Sequence, residues 1–240
     1  MKILTSLFVL FIVSTSLNAQ IYSKKIKGNG IIITKTRTIT DFNKISVAGS
    51  FDVKLFKGTD RVITINTDEN LMDYIITEVN DGSLKIKTKE GYVINSNKKI
   101  TITIPIDIIE KVSLAGSGNI FTTDVISVTD LKLNLAGSGN MNLNVSAKKI
   151  ATTIAGSGNI NLNGNSDHFS CNIAGSGNLN APDFIASIAT IEIAGNGDVK
   201  IMVTNEIHAS IAGSGNIIYA GNPKIVKTKS IGSGSIRKKN

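Results

Sequence analysis

Few side chains in this sequence could do acid–base or metal chemistry. Seven carboxylates, Asp124, Asp130, Asp167, Asp183, Glu192, Asp198 and Glu206, lie in residues 111–240. Glycoside hydrolysis would need two of them at a controlled separation, one as acid and one as nucleophile or base. Elimination at a uronate would need a base and a cation to neutralise the sugar acid. No two of these acids recur as neighbours on one face of the sequence pattern, so no catalytic pair is predicted unless loop acids converge in space. His168 and His208 have no His or Cys partner at ligand spacing, so no metal site is expected. Cys171 is the one cysteine, which excludes an internal disulfide framework. It is predicted to behave as a small buried apolar residue, not as a nucleophile. No catalytic residue and no cofactor is expected.

The polar residue that does recur is asparagine. Asn134 and Asn172 stand three residues before the first Gly of a Gly-x-Gly motif. Asn142, Asn161 and Asn180 stand five residues after one, and Asn144 and Asn163 seven after. All seven are predicted to face outward on one sheet face over the middle of the chain. Amides repeated on a flat face can hydrogen-bond sugar hydroxyls, which makes these residues the candidate binding site. The plainer reading is that they solvate the exterior, since exposed polar strands need no special explanation.

A repeat must position these residues. Ala-Gly-Ser-Gly-Asn occurs at 115–119, 136–140, 155–159, 174–178 and 212–216, with Ala-Gly-Asn-Gly-Asp at 194–198 and Ile-Gly-Ser-Gly-Ser at 231–235. The first Gly falls at 116, 137, 156, 175, 195, 213 and 232, in steps of 21, 19, 19, 20, 18 and 19. Apolar residues alternate on both sides. Leu114, Leu135, Ile154, Ile173, Ile193 and Ile211 precede each Gly by two. Ile120, Met141, Ile160, Leu179, Val199, Ile217 and Ile236 follow it by four. Period two around a glycine corner means strand, turn, strand. Stacked coils turn such columns into inward ladders. The steps are no strict multiple of six, so a right-handed parallel β-helix is expected over a left-handed hexapeptide helix. Asn119, Asn140, Asn159, Asn178 and Asn216, with Asp198, should form a polar ladder just past the corner. A nine-residue calcium repeat would need regular Asp, which is missing.

The expected organisation has three parts. Residues 1–19 read as an export signal peptide: a basic start, an apolar Ile3–Val13 and small residues up to Ala19. Residues 20–110 form an irregular N-terminal β portion and solenoid cap. Residues 111–240 form the repeat β-solenoid. Within the second part, Val47-Ala48-Gly49-Ser50-Phe51 copies the motif with Phe51 in place of the second Gly, and Gly28-Asn29-Gly30 could be an earlier corner. Asn80-Asp81-Gly82-Ser83 is a hairpin turn signal. Leu71, Ile75 and Val79 at four-residue spacing predict one short helix over Asp68–Val79, with Asp68 as N-cap, covering an open end of the solenoid.

On Gly28-Asn29-Gly30, the run Arg37–Val47, the segment Asp68–Ile86, the Gly-Ser-Gly-Asn array and the ending Ile218–Pro223, the chain resembles the head GIN-domain family of auto-transporter adhesins. The likeness spans roughly residues 28–237. It implies an exported β-helical protein with an adhesin-like role and brings no catalytic residues.

The chain has 26 Lys+Arg against 18 Asp+Glu, a net charge of +8, and only 5% aromatic residues. Without residues 1–19 the charge is 25 − 18 = +7. Positive charge without interleaved aromatics does not point to nucleic acid, and no stretch beyond the leader is long enough to span a membrane. The expected function is an exported, non-enzymatic surface or envelope interaction module, adhesin-like, with glycan or another surface macromolecule as partner. Its location is periplasmic, outer-surface or secreted. Two alternatives stay open: a pectinase-like polysaccharide-cleaving enzyme, and a lipid-associated envelope scaffold using Lys24, Lys25, Lys27, Lys98, Lys99, Lys148, Lys149 and the basic tail.

Overall fold

The computed structural model describes residues 23–239. The expected signal peptide, residues 1–19, lies outside them. Strand accounts for 72% of the structure and helix for 3%, arranged as a β-solenoid of about 7 turns. No helix among the described residues is long and apolar enough to cross a membrane.

The repeat array supplies β10 to β19, which follow nine N-terminal strands. Strands β10 (Lys111–Gly116) and β11 (Asn119–Thr122) form the first motif-bearing coil. Long bent strands follow: β12 (Ile126–Gly137), β13 (Asn140–Gly156), β14 (Asn159–Gly175), β15 (Asn178–Gly195) and β16 (Asp198–Gly213). β17 (Asn216–Ala220), β18 (Ile225–Ile231) and β19 (Ser235–Lys238) end the chain. Successive coils pair in parallel, with like residue over like residue. Leu114, Leu135, Ile154, Ile173, Ile193 and Ile211 form one ladder, and each is buried. Val112, Leu133, Thr152, Cys171, Ile191 and Ala209 form a second. Register slips between Asn161 and Gly164, where β15 holds one extra residue beside Pro182. A proline cannot donate to the ladder, so the bulge falls where one donor is already missing.

The corner glycines are required by stacking. Gly137 has φ +111°, and a Cβ there would lie 2.6 Å from the carbonyl oxygen of Gly116 in the coil below. A Cβ at Gly139 would meet the Gly118 oxygen at 2.5 Å and a Leu114 methyl at 2.8 Å. No larger residue fits two backbones at this approach. A second bend in each coil interrupts the alternation. Lys148-Lys149, Asp167-His168 and Thr204-Asn205 are consecutive exposed pairs.

The N-terminal strands are β1 (Lys24–Lys27), β2 (Ile32–Thr38), β3 (Lys44–Ala48), β4 (Asp52–Lys57), β5 (Val62–Asp68), β6 (Ile75–Asn80), β7 (Ser83–Thr88), β8 (Tyr92–Asn95) and β9 (Thr101–Ile106). Their stacking order departs from chain order. β3 and β4 pair in parallel with β10 and β11 on one side and with β7 and β9 on the other. The chain thus lays down one coil, leaves it, and returns to build on both of its faces. The corner at Gly49 sits directly below Gly116, and Gly118 N donates to Gly49 O at 3.1 Å. Phe51, standing where the second Gly would be, is buried in the core.

This end of the solenoid is closed by antiparallel strands. β6 pairs with β7, and β5 lies between β9 and β2. The expected helix over Asp68–Val79 is therefore corrected. Only Glu69–Tyr74 is helical, as a 3-10 segment that buries Leu71 and Met72. Ile75–Asn80 is β6, because Ile75, Ile76, Thr77 and Val79 are β-branched and suit a strand. The turn after it holds Asp81 at φ 51° and Gly82 at φ 68°, the positive pair a tight hairpin demands. Asp68 makes no side-chain cap hydrogen bond. Its buried carboxylate instead accepts Gly30 N at 2.7 Å and the Ser96 hydroxyl at 2.5 Å. Asn70 donates to Lys27 O at 2.8 Å and accepts Asn29 N at 2.9 Å. Gly28-Asn29-Gly30 is a clip fastening β1 to the cap, and not a solenoid corner. Gly28 is needed there because a Cβ would overlap the Asp68 carboxylate.

Candidate functional site

The half-buried asparagines just past each corner form a continuous chain of amides. Asn119 donates to Asp52 at 2.6 Å, Asn140 to Asn119 at 3.0 Å, Asn159 to Asn140 at 3.0 Å and Asn178 to Asn159 at 2.8 Å. Asp198 takes the next place, accepting from the Asn216 amide at 2.9 Å. Lys99 lies 3.0 Å from the other Asp52 oxygen, so a charge closes the lower end. Each amide both donates and accepts, which satisfies polar groups beside the core and polarises the chain along its axis. This ladder is internal architecture.

The outward asparagines are placed differently. Asn142, Asn161 and Asn180 stack in register, and so do Asn144 and Asn163. All five project from the sheet that follows the corner. Asn161 donates to Asn142 at 2.5 Å and Asn163 to Asn144 at 3.2 Å. Asn134 and Asn172 stand before the corner, in the column Ser113, Asn134, Thr153, Asn172, Glu192 and Ser210. Asn134 is held there by Ser113 at 3.3 Å. The expected seven-residue face is therefore two faces divided by the glycine corner. Sequence columns fix which way a side chain points relative to the core. They do not say which side of a prism carries it.

Coils rise by about 4.8 Å, the ordinary interstrand spacing. Five amides stacked at this spacing offer donors and acceptors at regular intervals along the axis. An uncharged hydroxylated chain laid across them could bond several at once. Asn172 borders a separate shallow groove of about 410 Å³ with Thr153, Glu192, Ser210 and Lys229.

Glu192 stands in the Asn134–Asn172 column and Asp198 in the amide ladder, and other carboxylates gather near Ile108. Three adjoining depressions share Ile108, itself 63% exposed. One, of about 260 Å³, holds Asp107 and Asp124, and another holds Glu110 and Asp130. Asp107 and Glu110 precede the repeat, so reading the array alone missed them. Their signal was the acid-bracketed run Asp107-Ile108-Ile109-Glu110. Asp124 already accepts Lys57 N at 3.0 Å and the Thr123 hydroxyl at 3.2 Å. Among the described residues no group of three or more His, Cys, Asp or Glu is placed to hold a metal ion. His208 meets Glu206 at 2.5 Å on its own strand. Cys171 is fully buried, and burial pushes its thiol up to about 12, so the thiolate is suppressed.

The family described as "Putative auto-transporter adhesin, head GIN domain" matches residues 41–223, most of the solenoid and its cap. The chain belongs to this family. Several solved structures resemble this head GIN-domain protein. A "putative adhesin" from Bacteroides fragilis is 23% identical, with TM-score 0.84 over 89% of this chain and 100% of its own. At that identity it shows the fold alone. A "putative lipid binding protein" from Parabacteroides distasonis is 31% identical, with TM-score 0.77 over 90% and 100%. A "putative adhesin" from Parabacteroides merdae is 27% identical, with TM-score 0.73 over 91% and 100%. No curated protein matches the chain. The adhesin-like description of the family fits a role in surface contact and fits a non-enzymatic protein.

Proposed function

We propose that this head GIN-domain protein is an exported, non-enzymatic recognition module that binds a glycan or similar hydroxyl-rich surface polymer. The contact face is the pair of ladders Asn142–Asn161–Asn180 and Asn144–Asn163. The observation carrying this reading is the in-register stacking of five outward amides, Asn142 with Asn161 and Asn180 and Asn144 with Asn163. The family's adhesin-like character supports it. Asn134 and Asn172 belong to the adjoining face and would serve only a ligand wrapping the corner. The depressions around Ile108 gather acids, Asp41, Asp60, Asp107 and Glu110 in one of them, but Asp124 is engaged by a backbone amide and a hydroxyl and Asp41 by Arg61, and the family's adhesin-like description favours recognition over hydrolysis.

The test is a glycan array and an extracellular-matrix panel probed with the wild-type protein and an Asn142→Ala/Asn161→Ala variant. These positions are on the outside, so the variant should keep its fold. Binding to a neutral oligosaccharide should weaken by about tenfold or more once two amides are removed, each hydrogen bond contributing about 0.5–1.5 kcal/mol. A blank panel, or a hit indifferent to the double variant, sinks the reading. A second reading is attachment to lipid at the envelope, supported by the described lipid role of the Parabacteroides distasonis relative. Vesicle binding that rises steeply as salt is lowered, with the array blank, would favour it.

A further inference from the structure

The two ends of the solenoid are finished in different ways. At the N-terminal end, antiparallel strands and the 3-10 segment lie across the last parallel coil. At the C-terminal end nothing among the described residues does. β18 pairs only with β16, and β19 only with β17, so each leaves one row of backbone N–H and C=O groups without a strand partner. Every residue of β18 is exposed. Ile225 is 45% exposed, Val226 46% and Ile231 60%. The inward ladder also changes at this coil. Thr228 follows Ala209, and Ser230 follows Ile211. These hydroxyls let the end stand in water unaided, so whatever covers it can come and go.

Charge indicates the occupant. After Glu206 the sequence contains no acid and six cations: Lys224, Lys227, Lys229, Arg237, Lys238 and Lys239. A second copy joined end to end would bring two such sets together. Head-to-tail stacking is little better, since the outermost strands of the opposite end, β2 and β6, offer Glu78 against Lys35 and Arg37. Insertion into a lipid surface would push unpaired backbone groups towards hydrocarbon, where nothing can bond them. An extended acidic segment answers all three features. Its backbone completes the ladder, its carboxylates meet Lys227 and Lys229 on the outward side, and its alternate apolar residues cover Val226 on the inward side.

We infer that the C-terminal coil, β18 and β19, is a docking edge that accepts an acidic, extended strand from another polypeptide. β19 ends the same column three coils beyond Asn180, through Lys200, Ile218 and Arg237, but β18 lies on the other side of the Gly232 corner, so glycan binding at the asparagines and strand binding at Ile225–Ile231 can succeed or fail separately.

The experiment uses the whole chain and a short synthetic peptide of alternating Val and Glu, with a Val–Lys peptide as control. Binding is read by fluorescence anisotropy, and its location by amide hydrogen exchange. The Val–Glu peptide should bind, weaken as salt is raised, and slow exchange in Ile225–Ile231, while Val–Lys should not bind. Lys227→Glu/Lys229→Glu, on exposed positions, should weaken Val–Glu at least about tenfold and admit Val–Lys. Several outcomes would overturn the inference: no binding, binding blind to charge reversal, protection elsewhere on the solenoid, or the same amides protected by phosphatidylglycerol vesicles or by self-association instead of by peptide.

Discussion

Thr152 is the one polar residue among the buried rungs of a ladder that otherwise reads Val112, Leu133, Cys171, Ile191 and Ala209 before it ends at the exposed Thr228. It is 1% exposed, and its Oγ1 has no hydrogen-bond partner. Thr152→Val keeps the branched shape and replaces the hydroxyl with a methyl. Two effects then add. An unpaired buried hydroxyl is worth about 1–3 kcal/mol of lost solvation on protein mutational scales. The new methyl packs between Leu133 and Cys171, and a buried carbon contributes roughly 0.8 kcal/mol. Crowding of the added methyl offsets part of this, leaving an expected gain of about 1–3 kcal/mol. For a chain of this size that is roughly 2–4 °C of Tm per kcal/mol. Thr152→Ser is the control. It keeps the hydroxyl and removes the methyl, so it should lose about 1 kcal/mol. The assay is guanidinium unfolding followed by circular dichroism, comparing midpoints at unchanged slope. A Val variant no more stable than wild type would refute the reasoning, because it would mean that the hydroxyl is satisfied in solution.

Two further outcomes are expected. The Ser96 hydroxyl, with help from Gly30 N–H and against the effect of burial, holds the Asp68 carboxyl below its usual range. Its folded pKa lies under its unfolded one, so the stability it provides is complete above the unfolded value and disappears as pH falls through the folded value. Denaturant midpoints should hold from neutrality to about pH 5 and then drop, and Asp68→Asn should be less stable at neutral pH with a shallower acid limb; parallel limbs would contradict this. Gly137→Ala should destabilise by about 2–4 kcal/mol, from a strained positive φ and overlap with Gly116 O. A midpoint within error of wild type would show that the coils can separate at that corner.

Much of the solenoid was legible in the sequence. Alternation around Gly-x-Gly fixes which side chains face inward, and a near-constant step places each coil on the one before it, so Leu114 over Leu135 over Ile154 follows from spacing alone. The Asn119–Asn178 ladder follows for the same reason. Residues 68–79 misled because Leu71, Ile75 and Val79 satisfy a helical spacing while their β-branched neighbours favour strand. There the pull of β7 as a pairing partner overrode the periodicity.

By itself the sequence determined the rungs, the corners and the burial of Cys171, because these depend on neighbours one coil away along the chain. Only the tertiary structure decided that β3 lies between β7 and β10 and β4 between β9 and β11, that Gly28-Asn29-Gly30 clips onto Asp68, and that the outward asparagines fall on two faces. It also showed, among the described residues, a cap at one end of the stack and a strand edge without a partner at the other. These choices are made by segments far apart in the chain, whose hydrogen bonds can be formed with any strand of suitable register. A pattern of residue types states that such a strand needs a neighbour, and packing of the whole chain selects which one.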